Sequence, residues 1–143
     1  MTRRLLLFAL LATGLAVVAL HAPPARGAAS AQSHVYELRI YTANEGKLEA
    51  LKARFRDHTA ALFKKHHLDV IAYWVPESDD PKSKDTFIYI VAHKSRAEAA
   101  QNWKAFDTDP EWVKVKAESE KGGPLVKKYD TTFMDALPYS AMK

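Results

Sequence analysis

Apolar and polar residues alternate with a period of two over residues 35–42, which read Val-Tyr-Glu-Leu-Arg-Ile-Tyr-Thr. The pattern predicts a strand with two unlike faces. Tyr36, Leu38 and Ile40 share one face; Glu37, Arg39 and Tyr41 share the other. The first face suits a hydrophobic core. The second is too polar for a core and too aromatic for ordinary surface, which implies that something covers it. A turn follows at residues 43–46, with Asn44 as the expected N-cap, and the period then changes. Leu48, Leu51, Phe55 and Leu62 form a stripe that predicts a helix over residues 46–66.

Two more strands follow. Residues 69–76 contain Val70-Ile71-Ala72-Tyr73-Trp74-Val75 and stop at Pro76, and residues 86–93 are apolar on both faces, as suits the middle of a sheet. The polar stretch 77–85 between them reads as a loop. Ser95 and Glu98 form a capping box that opens a second helix, with Trp103 and Phe106 on its apolar side. Asp109-Pro110 restarts a short helix, with Asp109 as N-cap and Pro110 in its first position. Gly122-Gly123-Pro124 ends it. Residues 126–137 form a last strand that carries Tyr129, Thr131 and Phe133 on one side, and residues 138–143 are a tail.

The order is β-α-β-β-α-β. It predicts an α+β, ferredoxin-like fold: a four-stranded antiparallel sheet with the helices on one face. The other face is then bare, and the expectation is that Glu37, Arg39 and Tyr41 lie on it. Soluble monomers seldom expose so large a mixed patch. A second copy docked sheet to sheet would cover it, giving a homodimer with a barrel-like interior.

The N-terminal 31 residues change the picture of charge and location. Arg3 and Arg4 precede an uncharged apolar run over residues 5–20, and Ala29-Ser30-Ala31 is a small-x-small cleavage signature. This is the plan of a secretory signal peptide, so the mature domain is expected to begin at Gln32 and to be exported, periplasmic or secreted. The apolar run is shorter than the roughly 20 residues a membrane span needs, so no span is expected after cleavage. The full chain has 21 basic and 17 acidic side chains. Arg3, Arg4 and Arg26 leave with the leader and no acid does, leaving 18 against 17. Such a balance gives no ground for nucleic-acid binding. There is no cysteine, so neither a disulfide nor a thiolate metal site is available.

Candidate chemistry is sparse. Glu37 and Arg39, two apart on one strand face, read either as a charged pair in a cavity, with Arg39 receiving an anionic or carbonyl group, or as a structural ion pair. His58 lies on or beside the core-facing stripe, where an imidazole would serve as a general base. Tyr41 and Tyr89 add strand aromatics suited to a flat or apolar ligand. The mature histidines show no short metal-ligand spacing, and no phosphate loop or nucleophile elbow is present. No metal and no cofactor is implied.

Several stretches resemble the NIPSNAP family: Tyr36-Glu37-Leu38-Arg39-Ile40-Tyr41-Thr42 followed by Gly46-Lys47-Leu48, Arg54-Phe55, His58-Thr59 and Leu62-Phe63-Lys64-Lys65-His66, Ala72-Tyr73-Trp74, Asp109-Pro110-Glu111-Trp112, and Leu137-Pro138-Tyr139-Ser140. Together they cover nearly all of the mature chain. The resemblance implies a dimeric α+β barrel, related to the antibiotic-biosynthesis monooxygenase and EthD-like groups. It implies a glycine where His67 stands and another where Ala72 stands. It implies little about chemistry. The expectation is therefore an exported homodimeric small-molecule-binding module that takes a small apolar or aromatic ligand. The alternative is a cofactor-independent enzyme of the monooxygenase-like type. Glu37 and His58 are the catalytic candidates, and Glu37, Arg39, Tyr41, His58 and Tyr89 the ligand-binding ones.

Overall fold

A computed structural model describes residues 34–142. The signal-peptide reading of residues 1–31 lies outside them. Strand β1 is Val35–Ala43, β2 Asp69–Trp74, β3 Thr86–His93 and β4 Val126–Asp135. The sheet is antiparallel, in the order β2-β3-β1-β4. Helix α1 spans residues 48–65, α2 is Arg96–Asp107 and α3 Pro110–Ser119. The expected α+β, ferredoxin-like arrangement is the one observed, with the second helical crossover split in two at Asp109-Pro110.

The faces of the sheet are the reverse of the expectation. Pairing places Glu37 opposite Val91, Arg39 opposite Tyr89 and Tyr41 opposite Phe87. Phe87, Tyr89 and Val91 are all buried in the core. The polar face of β1 is therefore the one beneath the helices, where Trp103 of α2 bonds to Glu37. Tyr36, Leu38 and Ile40 lie on the bare side with Ile88 and Ile90, joined from β2 by Ala72 and Trp74. The physical reason is the partner strand. Phe87 and Tyr89 are aromatic and bulkier than Ile88 and Ile90, and burying them turns the residues paired with them inward. Charges enter the core because each finds a partner there.

Helix α1 contains a wide turn over Phe55–Thr59 in which the Ala60 N–H reaches the Phe55 carbonyl, five residues back. At about 100° per residue an uninterrupted α-helix would set Leu62 in line with Phe55 and leave Phe63 to one side. The extra residue in the wide turn swings Phe63 into line instead. Its ring lies 5.8 Å from both Phe55 and Tyr89. Leu48, Leu51, Phe55, Leu62 and Phe63 are all buried. Burying each such side chain contributes about 1.5–3 kcal/mol. The same turn carries His58 away from the core: Thr59 is buried and His58 is exposed.

Local signals held with small shifts. Asn44 does not cap α1. Lys47 is the N-cap, and Asn44 instead donates from Nδ2 to the Pro124 carbonyl, fastening the turn to the loop before β4. Ser95 caps α2 by accepting the Glu98 N–H, while the Glu98 carboxylate reaches one residue further back, to the Lys94 N–H. Asp109 caps α3 as expected by accepting the Glu111 N–H. Its second oxygen takes His66 Nε2 at 2.6 Å and Lys65 Nζ at 2.7 Å, tying the end of α1 to the start of α3. His67 occupies the left-handed region at φ 55°. The Leu68 N–H returns to the Phe63 carbonyl and the His67 N–H to that of Lys64, which is a Schellman ending with histidine in the usual glycine position. Near Ala72 the β2–β3 register shifts at a bulge.

Candidate functional site

The polar face of β1 and the underside of α2 build one connected network. Glu37 is 1% exposed. Its Oε1 accepts Arg39 Nε at 2.7 Å, and its Oε2 accepts both Trp103 Nε1 at 2.6 Å and His93 Nε2 at 2.9 Å. Burial pushes the Glu37 carboxyl up. The bonds from His93, Trp103 and Arg39, with the adjacent positive charge, outweigh that and hold it below the ordinary glutamate value. An ionised carboxylate only accepts, so Nε2 of His93 carries the hydrogen, and its buried Nδ1 has no partner among the described residues.

Arg39 packs against two aromatic rings. Its guanidinium carbon lies 3.7 Å from the Trp103 ring centroid and 5.4 Å from that of Tyr129. Burial works against its charge, while the tyrosines and Glu37 around it outweigh that and raise its pKa. Nε is spent on Glu37, and Nη1 reaches the Tyr41 hydroxyl at 3.3 Å. Tyr41 Oη also accepts the Tyr89 hydroxyl at 2.9 Å. Burial above all pushes the Tyr89 phenol well above its ordinary value, so Tyr89 stays a neutral donor at every physiological pH. Tyr41 receives two hydrogen bonds and keeps its own proton to give.

This network lines a cavity of about 460 Å³ between the β1–β4 end of the sheet and helices α2 and α3. Arg39, Tyr41 and Trp103 form its floor, Tyr129 and Trp112 are among its walls, and Asp107 and Lys116 face it from the helices. Burial raises the Asp107 carboxyl although Arg39 and Lys116 pull it down.

Of the residues picked from sequence, Glu37, Arg39, Tyr41 and Tyr89 come together here. His58 does not. It is exposed and lines a different groove, about 700 Å³, between α1 and α3. That groove is the larger of the two, but only Arg54 of its lining is a buried polar group, and Arg54 is bonded to Glu120 at 2.9 Å. The network under α2 is the better-built site. His93, Trp103 and Asp107 were missed. Strand alternation does put His93 on the face of Tyr89 and Val91, and antiparallel pairing then carries it towards Glu37. Trp103 and Asp107 give no such signal, because they arrive on a helix whose angle to the sheet no local pattern states. Among the described residues no three His, Asp or Glu side chains group to hold a metal ion, and no helix is long and apolar enough to cross a membrane.

Sheet order, crossover helices and a site between sheet and helices define an α+β domain of the ferredoxin-like kind. Residues 36–141 match the NIPSNAP family, and the chain belongs to that family. Solved structures agree in fold. A NIPSNAP-family protein of unknown function from Agrobacterium tumefaciens aligns with a TM-score of 0.68 at 18% identity, covering 79% of this chain and 96% of its own. A NIPSNAP-like domain protein from Burkholderia xenovorans aligns at 0.65 and 15% identity, covering 75% and 88%. A second Agrobacterium tumefaciens family member aligns at 0.67 and 18%, covering 77% and 99%. No curated protein matches the sequence.

Proposed function

We propose that the chain works, after export, as a homodimeric small-molecule-binding module whose ligand occupies the cavity under α2 and α3. One observation carries this reading. Arg39 is fixed by Glu37, Trp103 and Tyr129, yet it still lines a cavity of about 460 Å³, a volume suited to a small ligand. Burying a charged pair adds little net stability, whereas a pre-set cation at a cavity floor lowers the ordering cost of binding. The bare apolar face supports the homodimer: Leu38, Ile40, Ile88 and Ile90 are only half-buried and Trp74 is 44% exposed. The basic, apolar and small-residue order of residues 3–31 supports export.

Native mass spectrometry of the exported protein, purified without additives, tests both parts. The expected result is a dimer that carries a reproducible extra mass. A monomer removes the dimer, and a dimer with no added mass that binds nothing in a metabolite screen removes the binding role.

The enzyme alternative is favoured by one feature, the Tyr41 hydroxyl, which two donors hold in place and whose proton is free for the cavity. His58 has no part in it. Turnover abolished in Tyr41→Phe with affinity kept would select the enzyme. Affinity without turnover in the wild type would select the binder.

A further inference from the structure

The cavity's charge is out of keeping with the chain's. The mature sequence is close to neutral, but five lysines and arginines line this cavity against two carboxylates. Arg39, Arg54 and Lys128 are paired with Glu37, Glu120 and Asp130, which leaves Lys116 and Lys127 against Asp107. Lys116 and Lys127 form no ion pair among the described residues, and both line the cavity. The local field therefore favours an anion.

Shape narrows the class. Trp103 stacks against the Arg39 guanidinium at 3.7 Å and Tyr129 lies near it at 5.4 Å, so aromatic surface flanks the cation. Nε is spent on Glu37 and Nη1 points at Tyr41. The guanidinium also interacts with the Tyr89 hydroxyl behind Tyr41, and Arg39 still lines the cavity. A guanidinium fork meets a carboxylate lying in its own plane, and the Tyr41 proton supplies a further donor beside it. A group bonded to Arg39 extends into a space lined by Trp103, Trp112 and Phe106. A flat ring fits there by stacking.

We infer that the cavity takes a planar aromatic carboxylate, its oxygens on the Arg39 guanidinium and the Tyr41 hydroxyl. This rests on the small-molecule-binding reading and names its ligand class.

Calorimetric titration of the purified protein with 2-naphthoate, 2-naphthamide and octanoate tests it. Naphthoate should bind, and naphthamide, the same shape without the charge, should bind roughly 10- to 100-fold more weakly, the range for a charge-assisted hydrogen bond. Octanoate should bind more weakly than naphthoate. Arg39→Gln should abolish the preference for naphthoate over naphthamide. Tyr41→Phe, which leaves the Glu37–Arg39 pair intact, should weaken naphthoate several-fold, about the value of one hydrogen bond. Equal affinity for naphthamide overturns the anion, and tighter binding of octanoate overturns the aromatic ring. No binding of any probe overturns the inference. In that case a co-purified mass in the native spectrum leaves the binding role standing alone, and its absence sinks both.

Discussion

The two faces of the sheet invert the usual rule. The face beneath the helices carries a carboxylate, a guanidinium, an imidazole and two phenols. The face left open carries Leu38, Ile40, Ile88, Ile90 and Trp74. On the covered side polarity is tolerated because almost every group is answered. Glu37 alone accepts three donors, so the cost of leaving water is met by short bonds within the network. On the open side Thr132 and Asp130 of β4 stand opposite Leu38 and Ile40, and the apolar surface runs from β1 across β3 to β2. The covered face thus holds a satisfied polar network, and the open face leaves apolar side chains half-exposed.

Breaking the covered side should have the largest effect. Glu37→Ala leaves the Arg39 charge, the Trp103 N–H and His93 Nε2 without their acceptor, and should destabilise the fold by about 3–5 kcal/mol in urea titrations. The same network sets a pH dependence. Glu37 has a folded-state pKa below its unfolded one, so its contribution is full above the ordinary glutamate range and is lost as pH falls through the folded value. Wild type should therefore lose more stability than Glu37→Gln between about pH 5 and pH 3, a difference that urea midpoints across that range would show.

On the open side, Ile88→Glu should leave the monomer's unfolding free energy within about 1 kcal/mol of wild type, as surface changes do, and convert the proposed dimer to monomer in sedimentation velocity. A wild-type monomer would break the comparison, because the open face would then need no partner. The smallest change sharpens it. Tyr89→Phe removes only the hydroxyl that orients Tyr41 and should cost about 1 kcal/mol, with no change in oligomeric state.

The elements of the fold were legible in the sequence because each was signalled by local chemistry: alternation in β1, the Ser95 and Asp109 caps, the stop at Pro76. Which face the helices cover was not legible. β1 offers one apolar and one polar face, and the choice between them is made by Phe87, Tyr89 and Val91 on β3 and by Trp103 on α2, each remote in sequence. Glu37, Arg39 and Tyr41 could be grouped because the strand period sets them on one face, and Tyr89 joins them through the non-local pairing of β1 with β3. His58 was misplaced because its position assumes an uninterrupted helix, and the wide turn at Phe55–Thr59 breaks that assumption. At His67 the expected cost of a left-handed histidine is borne by the bonds of the Schellman ending. His67→Gly should relieve about 1 kcal/mol of it, measurable as a higher urea midpoint.

The wide turn also bears on how this chain tolerates changes in length. A turn closed five residues back holds one residue more than an ordinary turn, and Arg56, Asp57 and His58 within it are all exposed. Deleting any one of them would let α1 close as a plain α-helix, with Phe55 still in line with Leu48 before it and the Phe63 side chain after it. The same deletion near Leu51 or Leu62 would turn half the stripe out of the core. Helix α1 thus carries a spare residue at its middle, and a shorter relative could keep the same aromatic cluster intact.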